Sequence, residues 1–527
     1  MSSEFASTLE RMVGKSGKLL RLPALVKGDL EFPTAATPPA PSDEQRGFGE
    51  DPGVTQTEGA WFIPLSGTSS DSMSWQVLPR IAPERLLYTD PRALARDLAQ
   101  LTSQDVAAYV GGLRDVLIQN RAAVEEVSRI QAATGFFEPA LLQMFFAMLP
   151  ALLDPDGLLE AVDRELGNSD SRGRDFLDGW VAVPAKAHAG LMARMSADGS
   201  AAATLMESRP VARAMPTRQL HITAGNAPVV PFVSFMRALG TRSACVIKSP
   251  AELATLMSLM GAAMVALDAG HPLTRYTSLV YWKGGDRSTE DVLLAPQAFD
   301  RLVVWGSPET VNSLASRAAG TKSILLNPRY GLSLIDTRPA GFDPTEVARL
   351  ASIDTVIANQ QACTASLVHY VVGDDTAVDR YCEALQAALQ RWDELLPTPL
   401  PRSTLGQLRM LRRTALRRAR WYVNGSGSNM RSAVARADEP FDVSQHPMAR
   451  LVVVRPLAQP EDVVDFLTPA VSNLGIYPAE LNTSLRDAAA ACGVSNVLPL
   501  GEGERAYAGM PHDGMRVMSE LVNWVNG

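Results

Sequence analysis

Hydrophobic residues change their spacing along the chain near residue 218. Between residues 90 and 213, apolar positions recur at intervals of three and four, which predicts a series of amphipathic helices. From Arg218 to Asn327, short apolar runs that suit strands alternate with longer runs that suit helices. This alternation predicts a parallel sheet with crossover helices, and the preceding helices are expected to cover it.

A second region of the same kind follows. Residues 344–358 carry apolar residues at helical spacing, and residues 367–372 form an apolar strand. Two helices are predicted between 376 and 421, and a strand over 450–457 precedes another helix. The whole chain is therefore expected to be of the α/β class.

Residues 1–60 differ in composition from the rest. The stretch 32–53 is acidic and rich in proline and alanine, so it lacks the apolar surface to order itself, and we expect residues 1–60 to be an arm or a linker. Within it, residues 21–32 are expected to form a short strand pair with Gly28 and Asp29 at the turn.

The strands predicted after residue 218 end in small residues and one lysine. Doubly wound sheets bind ligands at the carboxyl ends of their strands, where glycines admit backbone close to phosphate and a lysine can pair with ribose or phosphate oxygens. No GxGxxG motif follows these strands, and a near match at Gly501, Gly503 and Ala506 is interpreted as a loop. The strand-end residues are Gly225, Asn226, Lys248, Ser249, Gly284, Gly285, Gly306 and Ser307.

Composition narrows the class of protein. The 527 residues predict two or more domains, and a net charge of -8 argues against a nucleic-acid partner. Four cysteines without a CxxC pair argue against a zinc site or a disulfide framework, so no metal is expected. No apolar run reaches roughly 18 residues and no signal-peptide core is present, which predicts a cytoplasmic protein without a membrane span.

Cys363 is the best candidate for chemistry because it lies at a predicted helix end among small and polar residues. A cysteine near amide donors at a turn loses its proton more easily than a core cysteine, and the thiolate is the nucleophile. The alternative is a buried structural cysteine. Cys245, Cys382 and Cys492 lie within an apolar strand or helices and are expected to pack.

An ordered series of motifs runs from residue 221 to residue 514. The motifs are HITAGNAPVVPFVSFMRALGTRSACVIKSP, HPLTRYTSLVYWKGGD, RLVVWGSPETV, YGLSLID, QQACTAS and GMPHDG. Together they resemble the bacterial long-chain acyl-CoA reductases of the LuxC type, a branch of the aldehyde dehydrogenase superfamily. The resemblance covers about residues 200–527 and implies an aldehyde-dehydrogenase-like fold: a modified Rossmann cofactor domain without GxGxxG, a second α/β catalytic domain, and an oligomerisation strand or flap.

Four segments are expected on this basis. They are an N-terminal Pro-rich arm (1–60), a helical cover with an NADP(H)-binding domain (61–335), a catalytic domain with the nucleophilic cysteine (336–485) and a C-terminal segment that packs back on the cofactor domain (486–527). The resemblance also implies a homo-oligomer.

The resemblance implies a role for each matching residue. Cys363 matches the nucleophile, and Asn226 matches the asparagine whose amide, with the cysteine's backbone N–H, holds the oxyanion. For Asn226 the alternative is a residue that simply turns the chain before Pro228. Lys248 matches the lysine that contacts the cofactor ribose. The expected cofactor-binding residues are Thr223, Ala224, Gly225, Lys248, Ser249, Gly284, Gly285, Gly306 and Ser307.

The implied reaction is NADPH-dependent reduction of a fatty acyl thioester to the aldehyde through a thioacyl-enzyme on Cys363. Coenzyme A or a carrier thiol is the expected leaving group, and an acyl-transferring protein is a candidate partner. NADPH is expected because Ala251 stands where relatives that favour NADH place a glutamate, with Glu252 one step further. The alternatives are a CoA-acylating aldehyde dehydrogenase for shorter substrates and a non-catalytic acyl-carrying scaffold.

Acidic residues are missing where hydrolytic aldehyde dehydrogenases carry their base. No Asp or Glu lies between Glu309 and Asp336, so an acid-poor site that favours thiol exchange over water attack is expected. His446 and His512 are candidates to protonate the aldehyde oxygen, with a surface role as the alternative. The arginine-rich stretch 409–420 is interpreted as a solvated face, with contact to an acidic carrier protein or to coenzyme A phosphates as the alternative.

Overall fold

The computed structural model describes residues 2–13, 19–34, 54–64, 75–132, 139–183, 210–397, 400, 402–505 and 507–527. The chain divides into two compact units, residues 1–326 with 507–527, and residues 327–506. The first break lies N-terminal to the expected boundary at 335/336, because strand Tyr330–Asp336 pairs within the second unit. Of the expected C-terminal segment, only residues 507–527 belong to the first unit.

The helices and strands are numbered along the chain. The strands are β1 (Leu19–Arg21), β2 (Ala24–Val26), β3 (Asp29–Glu31), β4 (Thr55–Gln56), β5 (Ala60–Pro64), β6 (Trp75–Pro79), β7 (Val181–Ala182), β8 (Val211–Met215), β9 (Arg218–Ile222), β10 (Ala244–Lys248), β11 (Thr277–Val280), β12 (Arg301–Trp305), β13 (Lys322–Leu326), β14 (Tyr330–Asp336), β15 (Ser366–Val372), β16 (Arg420–Asn424), β17 (Ser432–Arg436), β18 (Leu451–Leu457), β19 (Val471–Tyr477), β20 (Asn496–Pro499) and β21 (Asn523–Asn526). The α-helices are α1 (Ser2–Val13), α2 (Pro91–Ala99), α3 (Ser103–Gln119), α4 (Arg121–Ala132), α5 (Pro139–Leu152), α6 (Pro155–Leu166), α7 (Gly173–Asp178), α8 (Val229–Gly240), α9 (Ala254–Asp268), α10 (Pro272–Arg275), α11 (Arg287–Leu293), α12 (Pro308–Arg317), α13 (Pro344–Val356), α14 (Asp375–Leu395), α15 (Arg402–Arg413), α16 (Leu481–Ala491) and α17 (Val517–Leu521).

The large sheet of the first unit has the strand order β13-β12-β9-β10-β11-β2-β3. Strands β9 to β13 are parallel, and the chain leaves β9 first toward β10 and β11, then returns to its other side with β12 and β13. The expected doubly wound sheet is confirmed. Its order reverses between β9 and β12, and ligands of such sheets bind at the carboxyl ends of the strands beside a reversal of this kind.

Helix α9 packs against this sheet and is apolar on all sides. The stretch Ala251–Asp268 is long and apolar enough to cross a membrane by length and composition, but 78% of it is buried inside the protein. Its charged residues, Glu252 and Asp268, lie at its two ends. An apolar surface all round is typical of a helix enclosed by other elements, which is how α9 is packed.

The described parts of residues 1–60 pack into the first unit and are not a free arm. Phe5 and Leu25 are fully buried, and β2 pairs antiparallel with β11, so the N-terminal hairpin extends the large sheet. The expected strand pair is present, but its turn consists of Lys27 and Gly28, both with positive φ. A two-residue hairpin turn of this hand requires that conformation, which glycine adopts without strain. Residues 35–53 of the Pro-rich stretch lie outside the described residues.

The second unit is built on the sheet β16-β17-β18-β15-β14-β19-β20, in which only β16 runs antiparallel to its neighbour. Helices α13 and α14 cover one face with residues such as Ala351 and Leu385. Helices α15 and α16 cover the other face with residues such as Leu411 and Leu485. Burial on both faces explains why β15 is apolar almost throughout, since neither side of the strand meets water.

A separate three-stranded sheet, β21-β8-β7, is also part of the first unit. Strand β21 of this sheet is exposed along its length, including Trp524 and Val525. This sheet is the described element that suits the expected flap, and its use in oligomerisation stays a prediction.

Candidate active site

The expected cofactor-binding residues gather at one edge of the large sheet. Because β9 is hydrogen-bonded to both β10 and β12, the residues that follow these three strands are neighbours. The Thr223 backbone N and Oγ1 both donate to the carbonyl oxygen of Lys248, at 3.2 Å and 2.8 Å. Ser249 N donates to Val280 O at 2.9 Å, which ties β10 to the end of β11. Four strand ends thus form a continuous edge.

Two glycines beyond β11 add open backbone to this edge. A Cβ built at Gly284 or Gly285 would meet no atom within 4 Å. The Gly285 N–H donates to Glu290 Oε1 at 2.9 Å, and Glu290 in turn is paired with Arg317. The loop is therefore anchored at one amide while the space above its glycines stays open, as an approaching phosphate or ribose requires.

A lysine and a carboxylate share the strand ends. Lys248 Nζ lies 5.7 Å from the centre of the Tyr281 ring. The Glu252 carboxylate lies against Gly225, since a Cβ at position 225 would stand 2.7 Å from Glu252 Oε2. A larger residue at 225 would have to displace this carboxylate. The sequence argument for NADPH requires that no carboxylate lies at this edge. The structure places the Glu252 carboxylate there.

Helix α12 begins at the reversal point of the sheet. The Ser307 side chain caps it by accepting a hydrogen bond from Thr310 N at 3.3 Å, and Pro308 is its first residue. Beside it, the Trp305 ring contacts His512 edge to face, with ring centres 5.1 Å apart. His512 is thereby placed next to the end of β12.

Cys363 lies in the second unit, on the connection from α13 to β15. The thiol-bearing residue is partly exposed and occupies a turn closed by Ala365 N donating to Ala362 O at 3.0 Å. Three consecutive residues before it, Ala358, Asn359 and Gln360, have positive φ. Left-handed conformations cost non-glycine residues about 1–2 kcal/mol each, so the surrounding structure must hold this segment in place.

Side-chain amides hold the segment. The buried Gln360 donates from Nε2 to Ser366 O at 3.1 Å and to Leu451 O at 2.8 Å. Gln361 Nε2 donates to Met448 O at 2.7 Å. These bonds join the turn to β15 and to the chain before β18. The Cys363 backbone is consequently fixed on both sides of the thiol.

An ion pair lies beneath the turn. Arg450 donates from Nε to Asn359 Oδ1 at 2.7 Å and from a guanidinium nitrogen to Asp393 Oδ1 at 2.8 Å. The two charged side chains are only 2% and 3% exposed. Ser432 Oγ donates to the other Asp393 oxygen at 2.6 Å. The positive φ of Asn359 is thus held by a buried charge that is itself paired with a buried carboxylate.

A carboxylate from a distant segment reaches the neighbour of Cys363. Thr364 Oγ1 donates to Glu504 Oε1 at 3.0 Å. Glu504 keeps contact with solvent, yet the protein crowded around its carboxyl group raises its pKa, and nearby Asp354 adds to the rise. The expectation of an acid-poor site was wrong for this reason. No local sequence pattern predicts the contact between Glu504 and Thr364, because the two residues are 140 positions apart in the chain.

His446, the histidine candidate in the second unit, uses both ring nitrogens in hydrogen bonds to the backbone. His446 Nε2 bonds to Leu451 O at 3.0 Å, and Nδ1 accepts from Met448 N at 3.1 Å. This arrangement requires a neutral ring, and burial lowers its pKa to about 3. His446 therefore fixes the chain before β18 and has no proton to give at neutral pH.

Two other cysteines are enclosed. Cys245 in β10 and Cys382 in α14 are fully buried, and burial raises the pKa of each thiol to about 12. Cys492 lies at the end of α16 and is half-buried. Over the described ranges, no three His, Cys, Asp or Glu residues come together as a metal would need.

Asn226 and Cys363 belong to different units, the first following β9 and the second preceding β15. Their assignment to one oxyanion site stays a prediction.

The arginine-rich stretch forms the end of α15 and the turn after it. Arg409, Arg413 and Arg417 are exposed, Arg412 stacks on Trp421 with its guanidinium carbon 5.5 Å from the ring centre, and Arg418 pairs with Glu439 at 2.8 Å. This face is solvated in the structure.

Residues 208–524 match the family described as acyl-CoA reductase (LuxC). The chain belongs to the LuxC acyl-CoA reductase family. Among curated members, the long-chain acyl-protein thioester reductase 2 of Photobacterium leiognathi is 26% identical over 318 residues, or 59% of this chain and 63% of the relative. The long-chain acyl-protein thioester reductase of Vibrio harveyi is also 26% identical, over 60% of this chain and 65% of the relative. The chain thus spans less than two thirds of the length of these LuxC-family relatives.

Solved structures place the LuxC-family chain in the aldehyde dehydrogenase fold, as expected. Aldehyde dehydrogenase 21 from Physcomitrella patens superimposes with a TM-score of 0.65 at 12% identity and covers 97% of this chain and 98% of its own. Lactaldehyde dehydrogenase from Escherichia coli gives a TM-score of 0.65 at 15% identity over 96% and 98%. Because the identities are low, the likeness establishes the fold alone.

The buried ion pair under Cys363 gives a stability prediction. Replacing Arg450 by Met should lower the free energy of unfolding by about 3–5 kcal/mol, because the Asp393 carboxylate stays buried without its cation. The change can be measured by urea denaturation. Arg349→Met is the matched control, since Arg349 pairs with Glu346 on the surface and should cost at most about 1 kcal/mol. Equal, small effects of both substitutions would contradict the role given to Arg450.

Proposed function

We propose that this protein reduces a long-chain acyl thioester to the aldehyde with a nicotinamide cofactor, through a thioacyl group on Cys363. The observation that carries the proposal is the presentation of Cys363: a partly exposed thiol on a turn that directly follows a left-handed segment, 358–360, held by Gln360 and Arg450. Structural cysteines of this chain, such as Cys245, are instead enclosed in the core.

The fixed turn serves a nucleophile in two ways. It holds the sulfur in one direction, so that attack on an acyl carbon costs little ordering at the moment of reaction. It also fixes the backbone amide of Cys363, which the family resemblance assigns to the oxyanion together with Asn226. A preorganised donor aimed at the oxyanion stabilises the transition state by about 3 kcal/mol.

The carboxyl edge of the first unit fits a nicotinamide dinucleotide. It provides open glycine backbone at Gly284 and Gly285, the capped start of α12 at Ser307, and the cation of Lys248. The bound cofactor would supply the hydride that converts the acyl group to an aldehyde. Lys248 would pair with the ribose or its phosphate.

The donor is proposed to be an acyl thioester carried by a protein or by coenzyme A. The relatives from Photobacterium leiognathi and Vibrio harveyi are named as acyl-protein thioester reductases, which supports a protein-bound donor. Both kinds of donor leave as thiols, and the exchange at Cys363 is the same for each.

The central test is the fate of the acyl group when the cofactor is withheld. Intact-protein mass spectrometry after mixing with an acyl-CoA alone should show an acyl adduct on Cys363. Adding NADPH should discharge it as aldehyde, and adding free coenzyme A should return the starting thioester. Cys363→Ala should form neither adduct nor aldehyde, whereas Cys492→Ser, at a half-buried thiol, should behave like the natural protein.

Two results would overturn the proposal. Full aldehyde formation by Cys363→Ala would remove the thioacyl mechanism. An adduct that forms but is never discharged by NADPH or NADH would instead indicate an acyl-carrying scaffold without reductase activity.

Cofactor selectivity follows from the charges at the strand ends. Lys248→Ala should raise KM for NADPH more than for NADH, because the lysine is proposed to pair with the 2′-phosphate. Glu252→Gln should lower KM for NADPH, because it removes a carboxylate from the same edge. Steady-state kinetics with both cofactors measures each effect. Lys322→Ala is the control, because Lys322 lies at the amino end of β13, away from the carboxyl edge of the sheet. Equal weakening of both cofactors by Lys248→Ala would make the lysine a ribose contact only.

A further inference from the structure

The Glu504 carboxylate is hydrogen-bonded to the turn that carries Cys363. Its Oε1 accepts from Thr364 Oγ1 at 3.0 Å, and Thr364 directly follows Cys363. Because the Thr364 hydroxyl both donates and accepts, it can pass a proton between the thiol side of the turn and the carboxylate.

The loop that carries Glu504 is built to approach the turn closely. Asp354, near the end of α13, accepts from Gly501 N at 2.7 Å and from Gly503 N at 2.8 Å. A Cβ at position 503 would stand 2.8 Å from Asp354 Oδ1, so glycine at 503 leaves this carboxylate room to approach the backbone. Helix α13, which ends before Cys363, thus also positions the loop that carries Glu504 through Asp354.

The groups around Glu504 raise its pKa and so favour a carboxyl group that can accept a proton. Asp354 faces it from α13, and its own pKa is raised to about 6, chiefly by burial. Thr364 faces it from the turn and works in the opposite direction by hydrogen bonding. Within the loop, Glu502 is turned to Arg505, at 2.6 Å. Crowding and the Asp354 charge raise the pKa of Glu504, while its exposure permits exchange with solvent.

We propose that Glu504, acting through Thr364, carries the proton of the acyl-transfer step at Cys363; this rests on the proposed function. The thiol proton moves through the Thr364 hydroxyl to the Glu504 carboxylate as the bond from Cys363 Sγ to the acyl carbon forms. The bond from that carbon to the donor sulfur then breaks, and the proton passes from Glu504 to the departing thiolate. No proton is gained or lost overall. Glu504 is a positioning residue in this scheme, since Thr364 stands between it and the thiol.

The test is the rate of Cys363 acylation by an acyl-CoA, without cofactor, followed by rapid quenching and intact-protein mass spectrometry from pH 6 to pH 9. Glu504→Gln should slow acylation about 100-fold at pH 7, within the range typical of a lost acid–base group. The deficit should shrink toward pH 9, because the thiolate then forms without a base. A purely structural role would give a deficit that does not change with pH.

Matched variants separate the relay from the fold. Thr364→Val should share the pH-dependent deficit, and Thr364→Ser, which keeps the hydroxyl, should restore most of the rate. Glu502→Gln, two residues from Glu504 and paired elsewhere, should acylate at the natural rate. An unchanged rate in Glu504→Gln, or a deficit equal at all pH values, would overturn the relay and leave the proposed function standing. Absence of any adduct on the natural protein would overturn both.

Discussion

The presentation of Cys363 depends on the buried ion pair between Arg450 and Asp393. A guanidinium and a carboxylate that are almost fully enclosed attract each other strongly, but removing either leaves a charge in the interior at a cost of several kcal/mol. Arg450 also donates from Nε to Asn359, so the pair is coupled to the left-handed segment 358–360. A backbone conformation that is unfavourable by itself is thus held by hydrogen bonds to a buried charge.

Other elements of the second unit converge on the same turn. Gln360 completes bonds to carbonyls of Ser366 and Leu451, and His446 fixes the chain just before β18 as a neutral ring. Asp354 brings in the loop with Glu504 from the other side. The parallel sheet is the frame for these contacts, because β15 and β18 are paired and their amino ends lie side by side. The chain on both sides of Cys363 is thus hydrogen-bonded to other parts of the second unit.

The first unit is also built on a mostly parallel sheet, but its candidate site is an edge formed by strand ends. Its doubly wound sheet collects the ends of four strands at one edge, and glycines keep that edge open. Lys248 and Glu252 place opposite charges there. The two charges act in opposite directions on an anionic group near this edge, since the lysine attracts it and the carboxylate repels it.

The sequence by itself determined the α/β class, the parallel sheet and the strand-end residues, because alternation of strand and helix and the residues at strand ends are local properties. It also singled out Cys363, whose small and polar neighbours are adjacent in the chain. It misjudged residues 1–60, where α1 packs against α9 and the hairpin ending at Glu31 pairs with β11. Only the tertiary structure brought Arg450 to Asn359 and Glu504 to Thr364, across separations of 91 and 140 residues. Such contacts leave no periodic trace, because a buried ion pair or a single hydrogen bond constrains two positions and nothing between them.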